Sequence, residues 1–408
     1  MIPVLQERFK DSTIIALHIK DFSEPSLVQK HLEEKIPNID VNDIQIIEWR
    51  PSLNHYKEAY VNLLSQVVDF IKRTDAGNRT TAAFGRRWIR NFFRNLKNIN
   101  KNLLYKQAEI PVIITGSSPG LEKALPLIKE MQDSCIIIAA SSSYLALHHN
   151  GIKADLIIST DGGPWALKHL YPFFRHGSCD NTALAVNLCS ALPSQCCETP
   201  RLLINDGSFW QNIILHELSL PSVLIPQRGT VTATALELAM ILSCGNIYLA
   251  GMDFSFNDIR SHVKPYSFDN LFFTCADRFN PFYSQCFTRS SLINKGGSMD
   301  IYAAWFKTQL PSWQKRIFAI GESNIFETGV PLKNNSGKNK NEYFKIAAFN
   351  NNDSQIAEKG VAALFAALKN PEYAENIRHE LTSLLFSSGK KVTDDELKTE
   401  INNIARTQ

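Results

Sequence analysis

The chain has 408 residues, 44% of them hydrophobic and 20% charged; at about two to three times the usual domain size it is neither a single small module nor a disordered, collagenous or coiled-coil chain. Lys and Arg number 43 against 40 Asp and Glu, so the net charge of +3 gives no global case for a nucleic-acid binder, and any basic site must be local. Apolar runs such as Ile136 to Ala140 and Ile247 to Gly251 are strand-sized and fall short of the roughly 18–20 residues of a membrane span. The start, MIPVLQERFKDS, lacks the basic region, long apolar stretch and cleavage site of a signal peptide, so a cytoplasmic location without membrane attachment is expected. Eight cysteines occur without a C-x-x-C pair. Buried reduced thiols are the expected reading, and adjacent Cys196 and Cys197 have no partner pair with which to bind a metal.

Residues 1–54 read as a small N-terminal α/β region, with strand-like runs at Ile14 to Ile19 and Ile44 to Trp49 flanking a charged helix-like stretch around Leu27 to Lys35. Residues 55–105 read as a helical connector. Its segment FGRRWIRNFFRNLKNI sets Trp88, Phe92 and Leu96 on one helix face and Arg86, Arg90 and Arg94 on another. A solvated surface is the plain account of those arginines, and a phosphate or acidic partner the alternative.

From Ile110 short apolar strands alternate with helices, and residues 106–332 read as a Rossmann-like domain. PVIITGSSPG is a strand entering a Gly/Ser turn and LEKALPLIKEM its helix. CIIIAASSSYLALHHNG, ADLIISTDGG, RLLINDGS, PSVLIPQRGT, TATALELAMILSCG and NIYLAGMDFSF continue the pattern. Such alternation implies β-α-β crossovers and a mostly parallel sheet with helices on both faces. Ligands then bind beyond the carboxyl ends of the strands, where the turns 116–120, 141–143, 161–163, 228–232 and 251–253 would converge. A Pro- and aromatic-rich insertion, 256–298, reads as a lid over that site. The polar stretch KNNSGKNKN reads as a linker, and 345–408 as a C-terminal helical subdomain.

The turn Thr115-Gly116-Ser117-Ser118-Pro119-Gly120 offers backbone N–H groups and hydroxyls to an anion, or is a plain β-α turn. Asp161 would accept from sugar hydroxyls, bind a metal or cap a helix. Arg228, ahead of a helix start carrying Thr230 and Thr232, suits a carboxylate or phosphate. Asp253 either acts in the site or binds the backbone of the next turn. His262 and Tyr266 follow in the lid, as a base and a hydrogen-bond donor to a phosphate oxygen. No G-x-S-x-G, H-E-x-x-H or zinc pattern is present, so hydrolase and metalloprotease readings have no motif.

In order and spacing these motifs resemble the central, MptE-like domain of the motility-associated-factor (Maf) glycosyltransferases, which are linked to flagellin modification with nonulosonic acids such as pseudaminic and legionaminic acid. The resemblance covers roughly residues 85–330. It rests on RNFFRNL, IITGSSPGLEKALPLIKE, IIAASSSYLALHHNGIKADLIISTDGG, RGTVTATALELAMILSCGNIYLAGMDFSF, SHVKPY and GESNIFETGVP. The stretch PQRGTVTATALELAMILSCGNIYLAGMDFSFND is also similar to bacterial sialyltransferases that use CMP-activated sugars, while the Gly/Ser turn and G-x-D core occur in hydroxymethylpterin pyrophosphokinases too.

By that resemblance Gly116, Ser117, Ser118 and Pro119 would hold the cytidine phosphate, Ser141 or Ser142 the ribose or phosphate, and Asp161 the sugar. Arg228 and Thr230 would lie near the donor carboxylate or phosphate, and Tyr266 at the leaving phosphate. The family's Gly-Pro-Ser appears here as Ser118-Pro119-Gly120, and the late sialyltransferase histidine is replaced by NKGG, which leaves His262 and then Asp253 as candidate bases. The implied activity is metal-independent transfer of a nonulosonic acid from a CMP donor to Ser or Thr of flagellin, with no cofactor, nucleic acid or membrane. Two alternatives stand beside it, a 6-hydroxymethylpterin pyrophosphokinase using ATP and Mg²⁺ and a non-enzymatic flagellin-binding factor.

Overall fold

The computed structural model describes residues 7, 14–17, 25–36, 44–175, 182–193, 198–254, 259–293, 302–303, 305–307, 315–321, 323, 325–331, 340–348, 355–386, 390 and 392–406. Cys179, Cys196, Cys197, most of KNNSGKNKN, the NKGG stretch and both ends of the 256–298 insertion lie outside the described residues.

Ten strands form one sheet among the described residues: β1 Lys101–Tyr105, β2 Val112–Thr115, β3 Ile136–Ala140, β4 Leu156–Ser159, β5 Ala183–Asn187, β6 Arg201–Asn205, β7 Ser222–Leu224, β8 Ile247–Ala250, β9 Ile317–Ala319 and β10 Phe344–Ala348. Their order is β10-β1-β6-β5-β4-β3-β2-β8-β9, with β7 paired to β6. All pairs are parallel except β1 with β10. The fold is the expected Rossmann-like mixed α/β architecture with a largely parallel sheet and C-terminal helices.

The strands read as continuous apolar runs because both faces are covered. Val112, Ile114, Ile136, Ile138, Leu156, Ile158, Ile247 and Leu249 point to one side, where helix Val231–Leu242 buries Ala235, Leu236 and Leu242 against the same cluster. The alternate residues Ile113, Ile137, Ile157, Leu184 and Leu203 are equally buried on the other side. Each such side chain contributes roughly 1.5–3 kcal/mol through burial.

Four features differ from the sequence reading. Residues 345–348, assigned to the C-terminal helical subdomain, belong to strand β10, because they pair with β1. Residues 101–105 are strand β1 rather than the end of the helical connector, because Asn102 pairs with Arg201 and Leu103 with Ile346. Ala183–Asn187, passed over in the sequence, is β5 in the middle of the sheet. Ile14–Leu17 and Ile44–Trp49 carry no strand, so among the described residues the N-terminal region is helical; Ile46, Ile47 and Trp49 are exposed, without the partner strand that would bury them.

The chain divides into two units, 1–86 with 375–400, and 87–374 with 401–408. In the first, helix Pro25–Lys35 packs Val28 and Leu32 with Leu63 and Phe70 of helix Lys57–Lys97. Arg378 grips Asp394 through two bonds of 2.6 and 3.0 Å. Thr393 and Glu396 form a reciprocal cap at the start of helix Asp394–Arg406. In the second unit, helix Ile356–Ala367 packs on helix Phe209–Glu217, with Gly360 close to Ile214.

Candidate active site at the carboxyl edge of the sheet

From β2 the chain steps through β3, β4, β5 and β6 to one side, whereas β8 and β9 lie on the other. The crevice outside the ends of β2 and β8 is therefore the topological switch point, where α/β sheets bind ligands. Here the backbones of Gly116 and Gly251 nearly touch. A Cβ on Gly116 would sit 2.4 Å from the Gly251 carbonyl oxygen, and Gly251, at φ +64°, would place one 2.6 Å from that of Gly116. Both positions need glycine.

Three of the turn's amides are already engaged. Gly116 N–H donates to Ala250 at 2.8 Å, Ser118 N–H to Gly251 at 3.0 Å, and Gly120 N–H to Asp253 Oδ2 at 2.6 Å. Asp253 thus fills the start of helix Leu121–Met131, the place a bound phosphate would otherwise take. Burial pushes its carboxyl up, against the lowering pull of the Gly120 N–H and Lys123. Of the groups that could face an anion, the amides of Gly116, Ser118 and Gly120 are therefore engaged within the protein; the turn presents the half-buried Ser117 and Ser118, while Gly116 and Pro119 are buried.

The next two turns are built around it. Ser143 is fully buried and ties the strand ends together through Thr115 Oγ1 at 2.8 Å, Thr115 O at 3.0 Å and Ala140 O at 2.8 Å. Ser141 is buried, its N–H on Ile158 O, and Ser142 is half-buried. Beyond β4, Asp161 is exposed and accepts the Gly163 N–H at 2.7 Å.

The RNFFRNL segment frames this edge. Asn91 donates to Gly162 O and Cys189 O, Asn95 to Leu188 O and Ser190 O, and Arg94 to Leu192 O. Arg86 is paired with Glu400 at 2.5 Å and donates to Leu385 O. Arg86, even with its Glu400 pair, and Arg90 remain largely exposed, so the plain account of a solvated face holds for both, whereas Arg94 is half-buried and structural.

The SHVKPY segment lies directly on the Gly/Ser turn. Val263 N–H donates to Ser117 O at 2.8 Å, while Glu122 accepts from Lys264 N–H at 3.0 Å and from Arg260 at 2.8 Å. His262 Nδ1 lies 2.7 Å from Ser261 Oγ, and its ring stacks on Tyr266 with centroids 4.0 Å apart. Tyr266 is buried, which raises its phenol pKa. It meets His169 at 5.4 Å and Phe268 at 5.7 Å, and Trp165 reaches Phe268 at 6.1 Å. Burial holds the His169 imidazole at about 4, although Asp161 pulls it upward. The structure therefore brings together Gly116 to Pro119, Ser141, Ser142, Asp161, Asp253, His262 and Tyr266.

Arg228 and Thr230 lie on the same edge, after β7. Arg228 Nε pairs with Glu237 at 2.7 Å, Thr230 caps helix Val231–Leu242 through Ala233 N–H at 3.0 Å, and neighbouring Gln227 donates to Asp206 beyond β6. Sequence reasoning missed His169, Trp165 and Phe268. A histidine in LKHLYPFF reads as part of a core helix, and only the fold carries it to Tyr266. Among the described residues no group of three His, Cys, Asp or Glu could hold a metal ion, and no helix is long and apolar enough to cross a membrane.

Residues 86–258 match the family of 6-hydroxymethylpterin diphosphokinase MptE-like proteins. An uncharacterized protein of Treponema pallidum (strain Nichols) is 27% identical over 281 residues, 66% of this chain and 58% of the relative, so the chain spans under two thirds of that relative's length. The structure resembles the MAf glycosyltransferase from Magnetospirillum magneticum AMB-1 with a TM-score of 0.51 and 12% identity, over 94% of this chain and 63% of that one. The chain thus carries an MptE-like domain at residues 86–258, within a fold similar to that of a MAf glycosyltransferase along nearly all of its length.

Proposed function

We propose that this protein is a glycosyltransferase that moves a nonulosonic acid of pseudaminic, legionaminic or sialic type from a CMP donor to Ser or Thr of flagellin. The observation that carries this reading is the make-up of the switch-point crevice. The hydroxyls of Ser117 and Ser118 at the glycine crossing, the His262–Tyr266 stack beside them and the exposed carboxylate of Asp161 beyond β4 lie along one carboxyl edge, in a fold similar to a MAf glycosyltransferase. Hydroxyls and a carboxylate suit a polyhydroxylated ligand better than a bare phosphate cradle does, and three of the turn's amides are taken.

In the reaction the anomeric carbon loses its bond to the CMP phosphate and gains one to the acceptor oxygen, with inversion. Arg228, Ser117, Ser118 and Tyr266 stabilise the departing phosphate and the donor carboxylate. His262 takes the acceptor proton, its ring oriented by Ser261 Oγ at 2.7 Å from Nδ1 and by the stack on Tyr266. The phosphate is a good leaving group without a metal, so activity survives EDTA; loss on chelation counts against this version. No cofactor is called for, and the chain works in the cytoplasm without nucleic acid or membrane.

The family match at residues 86–258 favours a second reading, a pterin diphosphokinase in which Asp161 and Asp253 hold Mg²⁺ for ATP. Calorimetric titration separates the two. Micromolar CMP binding supports the transferase, ATP binding that needs Mg²⁺ supports the kinase, and flagellin capture without either nucleotide supports a binding factor.

A further inference from the structure

We propose that Trp165, His169 and Phe268, together with Asp161, form a subsite for one carbohydrate ring. The assignment of that ring to the donor sugar rests on the transferase reading; the subsite itself rests on three independent observations.

The first is an orphaned polar atom. His169 Nδ1 is buried and has no hydrogen-bond partner among the described residues, a condition that is costly and rare in folded chains. The imidazole is neutral near pH 7, so it has one donor and one acceptor to offer and no charge. That matches a hydroxyl or amide of a ligand better than it matches a phosphate.

The second is an exposed aromatic face. Trp165 is 61% exposed, on the 3-10 turn Pro164–Ala166 directly after Asp161-Gly162-Gly163. Its ring leans on Phe268, which is itself against His169 at 5.0 Å. A pyranose has an apolar C–H face and a polar rim, so a bare indole beside an exposed carboxylate complements both sides of it.

The third is rigidity. Gly162 is clamped under Trp88, whose ring would lie 2.5 Å from an added Cβ, and its carbonyl is held by Asn91. Asp161 is fixed by the Gly163 N–H. The carboxylate and the backbone that leads into Trp165 are thus set before a ligand arrives, which lowers the entropy cost of binding.

The test is tryptophan fluorescence of the full chain, titrated separately with free N-acetylneuraminic acid, glucose, CMP and CMP-N-acetylneuraminic acid. Quenching by a sugar is expected in the parent protein and is lost in Trp165→Phe. His169→Ala should weaken sugar binding about 10-fold, the worth of one hydrogen bond, with partial recovery in His169→Asn. CMP affinity should be the same in all variants. If no sugar quenches, or if the Trp165 and His169 variants bind sugars as the parent does, the subsite is wrong. Failure of CMP to bind while a sugar still binds through His169 sinks the CMP-donor reading and leaves the subsite standing. Should His169→Ala not fold, calorimetric titration of Trp165→Ala with the same sugars decides the matter, since it reads binding without the indole: weakened sugar binding supports the subsite and parent-like binding overturns it.

Discussion

Asp253 accepts the backbone N–H of Gly120 at 2.6 Å, so a carboxylate at the end of β8 caps the helix that follows β2. This contact gives Asp253 a structural task and makes it the weaker of the two candidate bases. Asp253→Ala should cost about 1–2 kcal/mol of stability, the usual value of a lost helix cap, and Asp253→Asn clearly less because the amide oxygen still accepts. Urea denaturation checks both, and turnover in Asp253→Asn should remain within a few-fold of the parent.

The glycine crossing yields a contrast between three positions. Gly116→Ala and Gly251→Ala would each drive a Cβ into a carbonyl oxygen, at 2.4 and 2.6 Å, and each should cost about 2–4 kcal/mol through overpacking and, at Gly251, a positive φ. Gly229 also has a positive φ of +74°, yet nothing lies within 4 Å of its added Cβ, so Gly229→Ala should cost only about 1 kcal/mol. Equal effects at all three would mean that the crossing is not tight.

His262→Ala should lower turnover by roughly 100-fold or more if it is the general base. Ser261→Ala keeps the imidazole and removes the partner at Nδ1, so it should lower turnover less and move the acidic limb of the pH–rate profile. An unchanged profile in both variants would remove His262 from the reaction.

Burial keeps His169 neutral down to about pH 4, whereas in the unfolded chain a histidine titrates near 6.5. Between those values the unfolded state binds more protons, so stability is intact above about pH 6.5 and falls as the pH drops towards 4. The full difference is on the order of 3 kcal/mol. His169→Phe should therefore flatten the decline in melting temperature between pH 6.5 and 4, and a parallel decline in the variant would assign it to other groups.

Arg228 is one-third exposed and bound to Glu237, so only part of its fork remains for a ligand. Arg228→Ala should weaken CMP binding by about 10-fold or more if it meets the phosphate, since charge-assisted pairs are worth roughly twice a neutral one. Glu237→Gln should strengthen CMP binding slightly. Calorimetry that finds neither change would leave the arginine a helix-start residue.

Much of this was legible one element at a time. LEKALPLIKEM became helix Leu121–Met131 and TATALELAMILSCG became helix Val231–Leu242, with strands at Val112–Thr115, Leu156–Ser159 and Ile247–Ala250, because apolar runs of four or five residues between Gly/Ser turns have few other solutions. Ala183–Asn187 escaped notice: TALAVN is short, and no turn motif marks it. The strand at Lys101–Tyr105 looked like helix because its pairing with β10 involves residues more than 240 positions away in some registers and nearly so in the rest, which no local pattern reports.

The sequence by itself determined the α/β class and the order of the turns along the carboxyl edge of the sheet, the candidate site, since strand alternation and parallel crossovers leave one edge for ligands. Tertiary structure alone decided what each turn can do. Hydrogen bonding is exclusive: once Asp253 takes the Gly120 amide, and Ala250 and Gly251 the two before it, those donors are withdrawn from any ligand, however well the turn reads on its own. Burial is equally non-local, and it turns His169 from one of ten histidines into a neutral imidazole beside Tyr266, Phe268 and the exposed Trp165.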